Sequence, residues 1–147
     1  IKASNVHMGR SPEGKTMIKL LDFGVAKALH PETAGAGLTV AGARIGTSST
    51  MAPEQILGST ISPQTDIYAL GVLLFRLLVG RNPFVADDQR ELDQMHLKAP
   101  PPKPSQFAPV PPVIDAVVAK AMHKIPAHRY GSVADFRTAV RDAIGAA

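Results

Sequence analysis

The stretch from Ser62 to Asn82 limits what this chain can fold into more than any other. Ser62-Pro63 reads as an N-cap followed by the first helical residue: the Ser side chain can take up a free backbone N–H, and Pro has none to waste. From about Gln64 to Val79 the helix is apolar almost all round, with Ile67, Leu70, Val72, Leu73, Leu74, Phe75, Leu77 and Leu78. Such a helix has no face to give to water and belongs in the middle of a domain. Gly80 stops it and Asn82-Pro83 blocks its continuation. The longest apolar stretch, Ala69 to Gly80, carries Arg76 and falls short of the ~20 residues that a membrane span needs, so it is a core helix.

The remaining sequence supplies the cover. With 147 residues the chain is one domain by length and long enough for a real core. Asn5 to Met8 and Met17 to Leu21 flank a polar segment, Gly9 to Lys15, and read as a β-hairpin. Asp87-Asp88 opens a polar helix to about Lys98. A Pro-rich segment, Ala99 through Pro112, precedes an amphipathic helix lined by Val113, Ile114, Val117, Val118 and Ala121. Ser132 caps a last helix, with Asp135 in its first turn and a stripe of Val133, Phe136 and Val140. No internal repeat is visible. The expected fold class is mainly α with a small β-hairpin: about five helices around one central buried helix.

Charge and composition exclude several functions. The net charge of +4 is spread over scattered Lys and Arg with few aromatics between them, a solvated surface and not a nucleic-acid face. The absence of cysteine excludes disulfides and thiolate metal sites. His96, His123 and His128 lack metal spacing with partner carboxylates and read as surface or helix-end histidines. Pro100-Pro101-Pro102-Lys103-Pro104 has the form of a polyproline ligand, but a connection between two helices explains it as well. Residues 25 to 50 are poor in bulky side chains, and a loop of that length in a compact domain is usually functional.

One ordered series of motifs carries the chemistry. Lys2-Ala3-Ser4-Asn5 precedes the hairpin and Asp22-Phe23-Gly24 follows it. Then come Gly46-Thr47, Met51-Ala52-Pro53-Glu54 and Asp66-Ile67-Tyr68-Ala69-Leu70-Gly71-Val72. In that order they resemble the eukaryotic-like serine/threonine protein kinases, in particular bacterial members of the Hanks type, and the resemblance covers essentially the whole chain. It implies the C-terminal lobe of the protein-kinase-like fold. Residues 1–147 would then hold the end of the catalytic loop, the metal-binding loop, an activation segment over 22–54 and a helical subdomain over 55–147, without the N-terminal lobe.

The resemblance assigns roles residue by residue. Asn5 and Asp22 match the two magnesium ligands of the kinase template (manganese would serve as well), an amide oxygen and a carboxylate suited to a hard cation. Lys2 matches the lysine that contacts the transferred phosphate, and Thr47 the threonine that supports the catalytic Asp and Lys and helps form the substrate shelf. His7 stands where the family usually has an apolar residue beneath the adenine of ATP, and its ring could stack there. Phe23 and Gly24 complete the metal-binding loop. Glu54 matches a glutamate that pairs with a late arginine, for which Arg129 is the candidate. Asp66 matches the acid that holds the catalytic-loop backbone. Thr39 is the expected phosphorylation site of the loop, with Thr33 and Ser48 as weaker candidates. Ser48-Ser49-Thr50 replaces the commoner Pro-x-Tyr of the shelf.

In the pattern H-R-D-x-x-x-x-N the catalytic Asp stands five residues before the Asn, which from Asn5 falls just before Ile1. The Gly-rich loop, the ATP-contacting Lys and its helix Glu are likewise not among these residues. The resemblance therefore implies a cytoplasmic kinase acting with ATP on Ser or Thr of protein substrates, and an inactive polypeptide when residues 1–147 stand alone. The competing expectation is a pseudokinase or kinase-derived binding module that docks partners without transferring phosphate.

Overall fold

The computed structural model describes residues 1–21 and 48–145. Two compact units result, one within Ile1–Thr47 and one within Ser48–Ala147. In the first, a short 3-10 turn, Ala3–Asn5, leads into strand β1, Val6–Arg10, which pairs antiparallel with β2, Thr16–Leu20. The register sets Val6 opposite Leu20 and Arg10 opposite Thr16. Toward the turn, β1 reaches two residues and β2 one residue further than the sequence suggests. Ser11 closes the hairpin by itself: its N–H reaches the Lys15 carbonyl at 2.8 Å, and its own carbonyl accepts from Gly14 N–H at 2.9 Å. Leu21 N–H donates to the Asn5 carbonyl at 2.7 Å and carries the ladder one step past the strands.

The second unit is helical: α1 (Pro53–Ile56), α2 (Pro63–Val79), α3 (Gln89–Lys98), α4 (Val113–Ala121) and α5 (Val133–Gly145). The chain is therefore mostly helical with one small hairpin, as expected. Helix α2 is its partition. Tyr68, Val72 and Phe75, one helical stripe, pack with Ala52, Phe84, Val118 and Met122. Ile67 belongs to a second cluster with Ile114, Val117, Ala121, Tyr130, Phe136 and Ala143, against which Leu70, Leu74 and Leu78 also pack. The sequence expectation of burial on every face fails at the C-terminal turns. Leu77 is 74% exposed and Arg76 faces solvent, where its Nη1 donates to Asn82 Oδ1 at 3.1 Å. Helix α4 covers only part of α2's length.

Gly71 sits where α2 and α4 touch. A Cβ there would lie 2.9 Å from Ala121 Cβ and 2.8 Å from Met122 Cγ, closer than real carbons approach. Gly80, with φ of +84°, ends α2 in the left-handed region that glycine enters without penalty. The Asp88 carboxylate accepts from Glu91 N–H to start α3, and Ser132 Oγ accepts from Asp135 N–H at 3.1 Å to start α5.

Two apolar stripes differ at one residue each. Val133 and Val113 are exposed, because each begins a helix before that helix reaches the core. The buried rows are Phe136 with Ala143 in α5, and Ile114, Val117, Val118 and Ala121 in α4. The Pro-rich segment is a packed connection. Pro104 is buried, Ser105 N–H and Oγ both donate to the Asp115 carboxylate at 3.0 and 2.6 Å, and Phe107 meets Phe75 edge-on.

Gly71→Ala forces α4 off α2 and is expected to destabilise the domain by about 1–3 kcal/mol, read from the shift of a denaturant midpoint at constant slope.

Candidate functional site

In the hairpin unit, Lys2 precedes the 3-10 turn in extended conformation and is half-buried. Asn5 ends that turn, with its N–H on the Lys2 carbonyl at 2.9 Å. The antiparallel ladder brings the Asn5 backbone against Leu21, the residue before Asp22. Asn5 thus stands at the open end of the hairpin ladder. His7 pairs with Lys19 in the sheet and is exposed. Asp22, Phe23, Gly24, Thr33, Thr39 and Thr47 lie outside the described residues.

In the helical unit the site is a buried polar network. Ala52, extended, is buried beside Tyr68 and Phe84, and Pro53 opens α1 without needing a donor's partner. That turn points Glu54 inward. Its two oxygens accept from Arg129 Nη1 and Nη2 at 2.7 and 2.8 Å, a fork-to-fork pair across 75 residues of chain. Both side chains are nearly fully buried. Arg129 uses its remaining N–H groups on the carbonyls of His123 (2.7 Å), Gln64 (2.8 Å) and Lys124 (3.2 Å). All five guanidinium donors are thus satisfied. Thr65 Oγ1 donates to Glu54 at 2.7 Å and accepts from Ser62 N–H at 3.2 Å, coupling the pair to the start of α2. Burial alone would raise the Glu54 carboxyl, but the hydrogen bonds from Arg129 and Thr65, with the charge of Arg129, hold it below the usual range. Asp66 stands exposed in the first turn of α2, where the helix dipole favours an acid.

Three further members escaped the sequence reading. Tyr68 is buried beneath Arg129, whose guanidinium carbon is 4.9 Å from its ring centre. Its hydroxyl meets His96 Nδ1 at 2.9 Å. His96, expected at the surface or at a helix end, stands in the last turn of α3 and is wholly buried between the Tyr68 ring and the edge of Phe84. Its place on α3 faces the core because Leu92, Met95 and Ala99 share that side. Burial, reinforced by the charge of Lys124, pushes the imidazole from 6.5 down to about 4, so it is neutral in the fold. Lys124 Nζ donates to the His96 and Met95 carbonyls at 2.8 and 3.3 Å and lies 4.9 Å over the Phe84 ring. Burial and then Arg129 push it down to about 8. One signal could have found these residues: a Tyr inside an otherwise apolar helix must have a partner for its hydroxyl.

The protein kinase domain family matches residues 1–139. The chain is 42% identical over 127 residues to the serine/threonine-protein kinase PknD of Mycobacterium tuberculosis, which covers 85% of this chain and 18% of that protein. It is 38% identical over 145 residues to Pkn1 of Myxococcus xanthus, covering 98% of this chain and 20% of that protein. The chain thus spans about a fifth of the length of these curated relatives. Among solved structures, the PknI kinase domain of Mycobacterium tuberculosis superposes with a TM-score of 0.67 at 26% identity, over 97% of this chain and 44% of that one. The chain belongs to the protein kinase domain family, and its architecture is that of the helical C-terminal lobe of Hanks-type bacterial serine/threonine kinases.

Glu54→Ala leaves the Arg129 charge buried without its counter-ion. The expected loss is about 3–5 kcal/mol in chemical unfolding, against less than about 0.5 kcal/mol for Arg137→Ala on the exposed face of α5.

Acid acts on the same network through both depressed groups. Glu54 contributes stability that is present above its unfolded pKa and lost as pH falls through its lower folded value. Unfolded His96 takes a proton near 6.5 while folded His96 refuses it to about 4, so stability falls across that window, by roughly 3 kcal/mol at most. Unfolding curves between pH 7 and 4 are expected to show this slope, and His96→Leu to flatten it.

Proposed function

We propose that this chain is the substrate- and metal-holding lobe of a serine/threonine protein kinase that transfers the γ-phosphoryl group of ATP to Ser or Thr hydroxyls of protein substrates. The observation that carries the reading is the hairpin ladder, which brings Asn5 against the residue preceding Asp22 in a chain that matches the kinase family over residues 1–139. Phosphoryl transfer asks for positioning and charge stabilisation more than for covalent chemistry from the protein. Asn5 and Asp22 would hold magnesium or manganese, which when bound neutralises the phosphate charge of ATP. Lys2 stabilises charge on the transferred group and orients the substrate hydroxyl. Thr47 supports Lys2 and the shelf on which the substrate peptide lies. His7 lies under the adenine. Phe23 and Gly24 set the metal-binding loop, Asp66 holds the catalytic-loop backbone, and phosphorylation of Thr39 orders the segment that Glu54 and Arg129 anchor.

No residue from 1 to 147 matches the catalytic base or the ATP-gripping lobe, so these residues by themselves transfer no phosphate. The lobe works in the cytoplasm, where ATP and protein substrates meet; among the described residues no helix is long and apolar enough to cross a membrane.

The decisive measurement is metal-dependent transfer of labelled phosphate to a generic protein substrate by the full-length gene product and by its Asp22→Ala variant. The expected outcome is turnover by the former and a loss of about 10²-fold or more in the latter. No turnover by the full-length protein, or activity indifferent to Asp22, returns the chain to the binding-module reading. Activity from residues 1–147 alone contradicts the division of labour proposed above.

A further inference from the structure

Two arginines gather at the C-terminal end of α2. Arg76 lies in the last turn. Gly80, in the left-handed conformation, turns the chain so that Arg81 stands just beyond the helix. Both are exposed and both lean on one residue: Arg76 Nη1 donates to the Asn82 side-chain oxygen at 3.1 Å, and Arg81 Nη1 to the Asn82 carbonyl at 3.4 Å. Neither forms an ion pair among the described residues. The acids that follow in sequence do not supply one: the Asp88 carboxylate is engaged at the start of α3, and Asp87 pairs with neither arginine.

An aromatic ring holds the second cation. The Arg81 guanidinium carbon is 4.5 Å from the ring centre of Phe107. Phe107 arrives from the connection before α4, which is fixed by buried Pro104 and by the bonds from Ser105 to Asp115, and Phe75 meets the ring edge-on. The ring is nevertheless 48% exposed, and Leu77, the residue after Arg76, is 74% exposed. A guanidinium laid on a ring keeps its N–H edge for other partners, in the fork that matches a carboxylate. The helix dipole accounts for a cation in the last turn of α2. It does not account for a half-exposed ring that fixes a second cation beyond that turn. Two cations beside exposed apolar side chains complement a segment that carries acids next to apolar residues. A nucleic-acid face would need a longer basic stripe than this pair.

We propose that the end of α2, with Arg76, Arg81 and Phe107, is a docking surface for an acidic segment of a protein partner: Asp or Glu carboxylates take the two guanidinium groups, and a neighbouring apolar side chain lies against Phe107. The surface binds and takes no part in phosphate transfer, so its test is separate from that of the kinase reading.

The probe is a short fluorescein-labelled peptide in which Glu pairs alternate with Leu and Phe, titrated with the full-length gene product in the absence of ATP and followed by anisotropy. It is expected to bind about 10-fold more tightly than its Gln counterpart, with the preference shrinking as salt rises. Arg81→Lys keeps the charge and loses the fork; Phe107→Leu keeps every charge and loses the ring. Each is expected to weaken binding of the Glu peptide about 3- to 10-fold. Arg137→Ala, on the exposed face of α5, is expected to leave it unchanged. Arg81→Lys alters only an exposed side chain and decides the matter if Phe107→Leu does not accumulate. Equal binding of the Glu and Gln peptides, or an affinity indifferent to Arg81→Lys, overturns the proposal. So does a single-stranded oligonucleotide of equal charge that binds more tightly than the peptide and is weakened by Arg81→Lys, since the surface then serves phosphate. A full-length protein that transfers no phosphate yet binds the Glu peptide through Arg81 upholds the docking surface while the kinase reading fails.

Discussion

The helical unit depends on one ion pair. Arg129 joins the carboxylate of Glu54 to the carbonyls of Gln64, His123 and Lys124, so a single guanidinium ties α1, the first turn of α2 and the segment after α4. Taking a charge out of water is expensive, and its counter-ion offsets that cost only when geometry is good and the leftover donors are used. Both conditions are met, by the fork-to-fork contact and by the carbonyls. The carbonyls of His123 and Lys124 follow the end of α4, where no intrahelical donor remains for them. The arginine thus satisfies backbone that the helix end leaves over, and stability and chain direction are set by the same contact.

The pair is also why α2 can be a partition. Its N-terminal turn supplies Thr65 and the Gln64 carbonyl to the network. Its middle divides two apolar clusters, and its last turn runs into solvent at Arg76 and Leu77. Along the helix its neighbours change from a salt bridge to α4 and then to water. Gly71 marks the narrowest point, where the axes approach to the limit set by Ala121. A helix with Cβ atoms at that crossing would stand further from α4 and loosen both clusters at once.

The fold was largely legible because its signals are local. Ser62-Pro63 and Gly80 bracket α2, Asp88 starts α3, and Ser132 with Asp135 starts α5, each through bonds spanning a few residues. Errors fell at helix ends, where periodicity does not say how far a neighbouring helix extends. Leu77, Val113 and Val133 continue their stripes and face water all the same. The site was legible only where a motif names its residues. Glu54 and Arg129 came from a family pattern, since nothing local links positions so far apart. His96 is at a helix end, as expected, but its burial is not legible, because a lone histidine on a polar helix carries no sign of it. What buries it is the Tyr68–Phe84 pocket and Lys124, contributed by distant segments.

His96 belongs to the same network as the ion pair. Arg129 lies over one edge of the network, and Lys124 enters it with its ammonium on two α3 carbonyls and the faces of Phe84 and Tyr68. Burial first, and then the charge of Lys124, keep His96 neutral. A neutral ring needs one acceptor nitrogen and one donor nitrogen. Tyr68, kept protonated by burial, shares a hydrogen bond with Nδ1 at 2.9 Å. His96 thus closes a polar network that begins at Glu54 and runs through Arg129 and Lys124 to Tyr68.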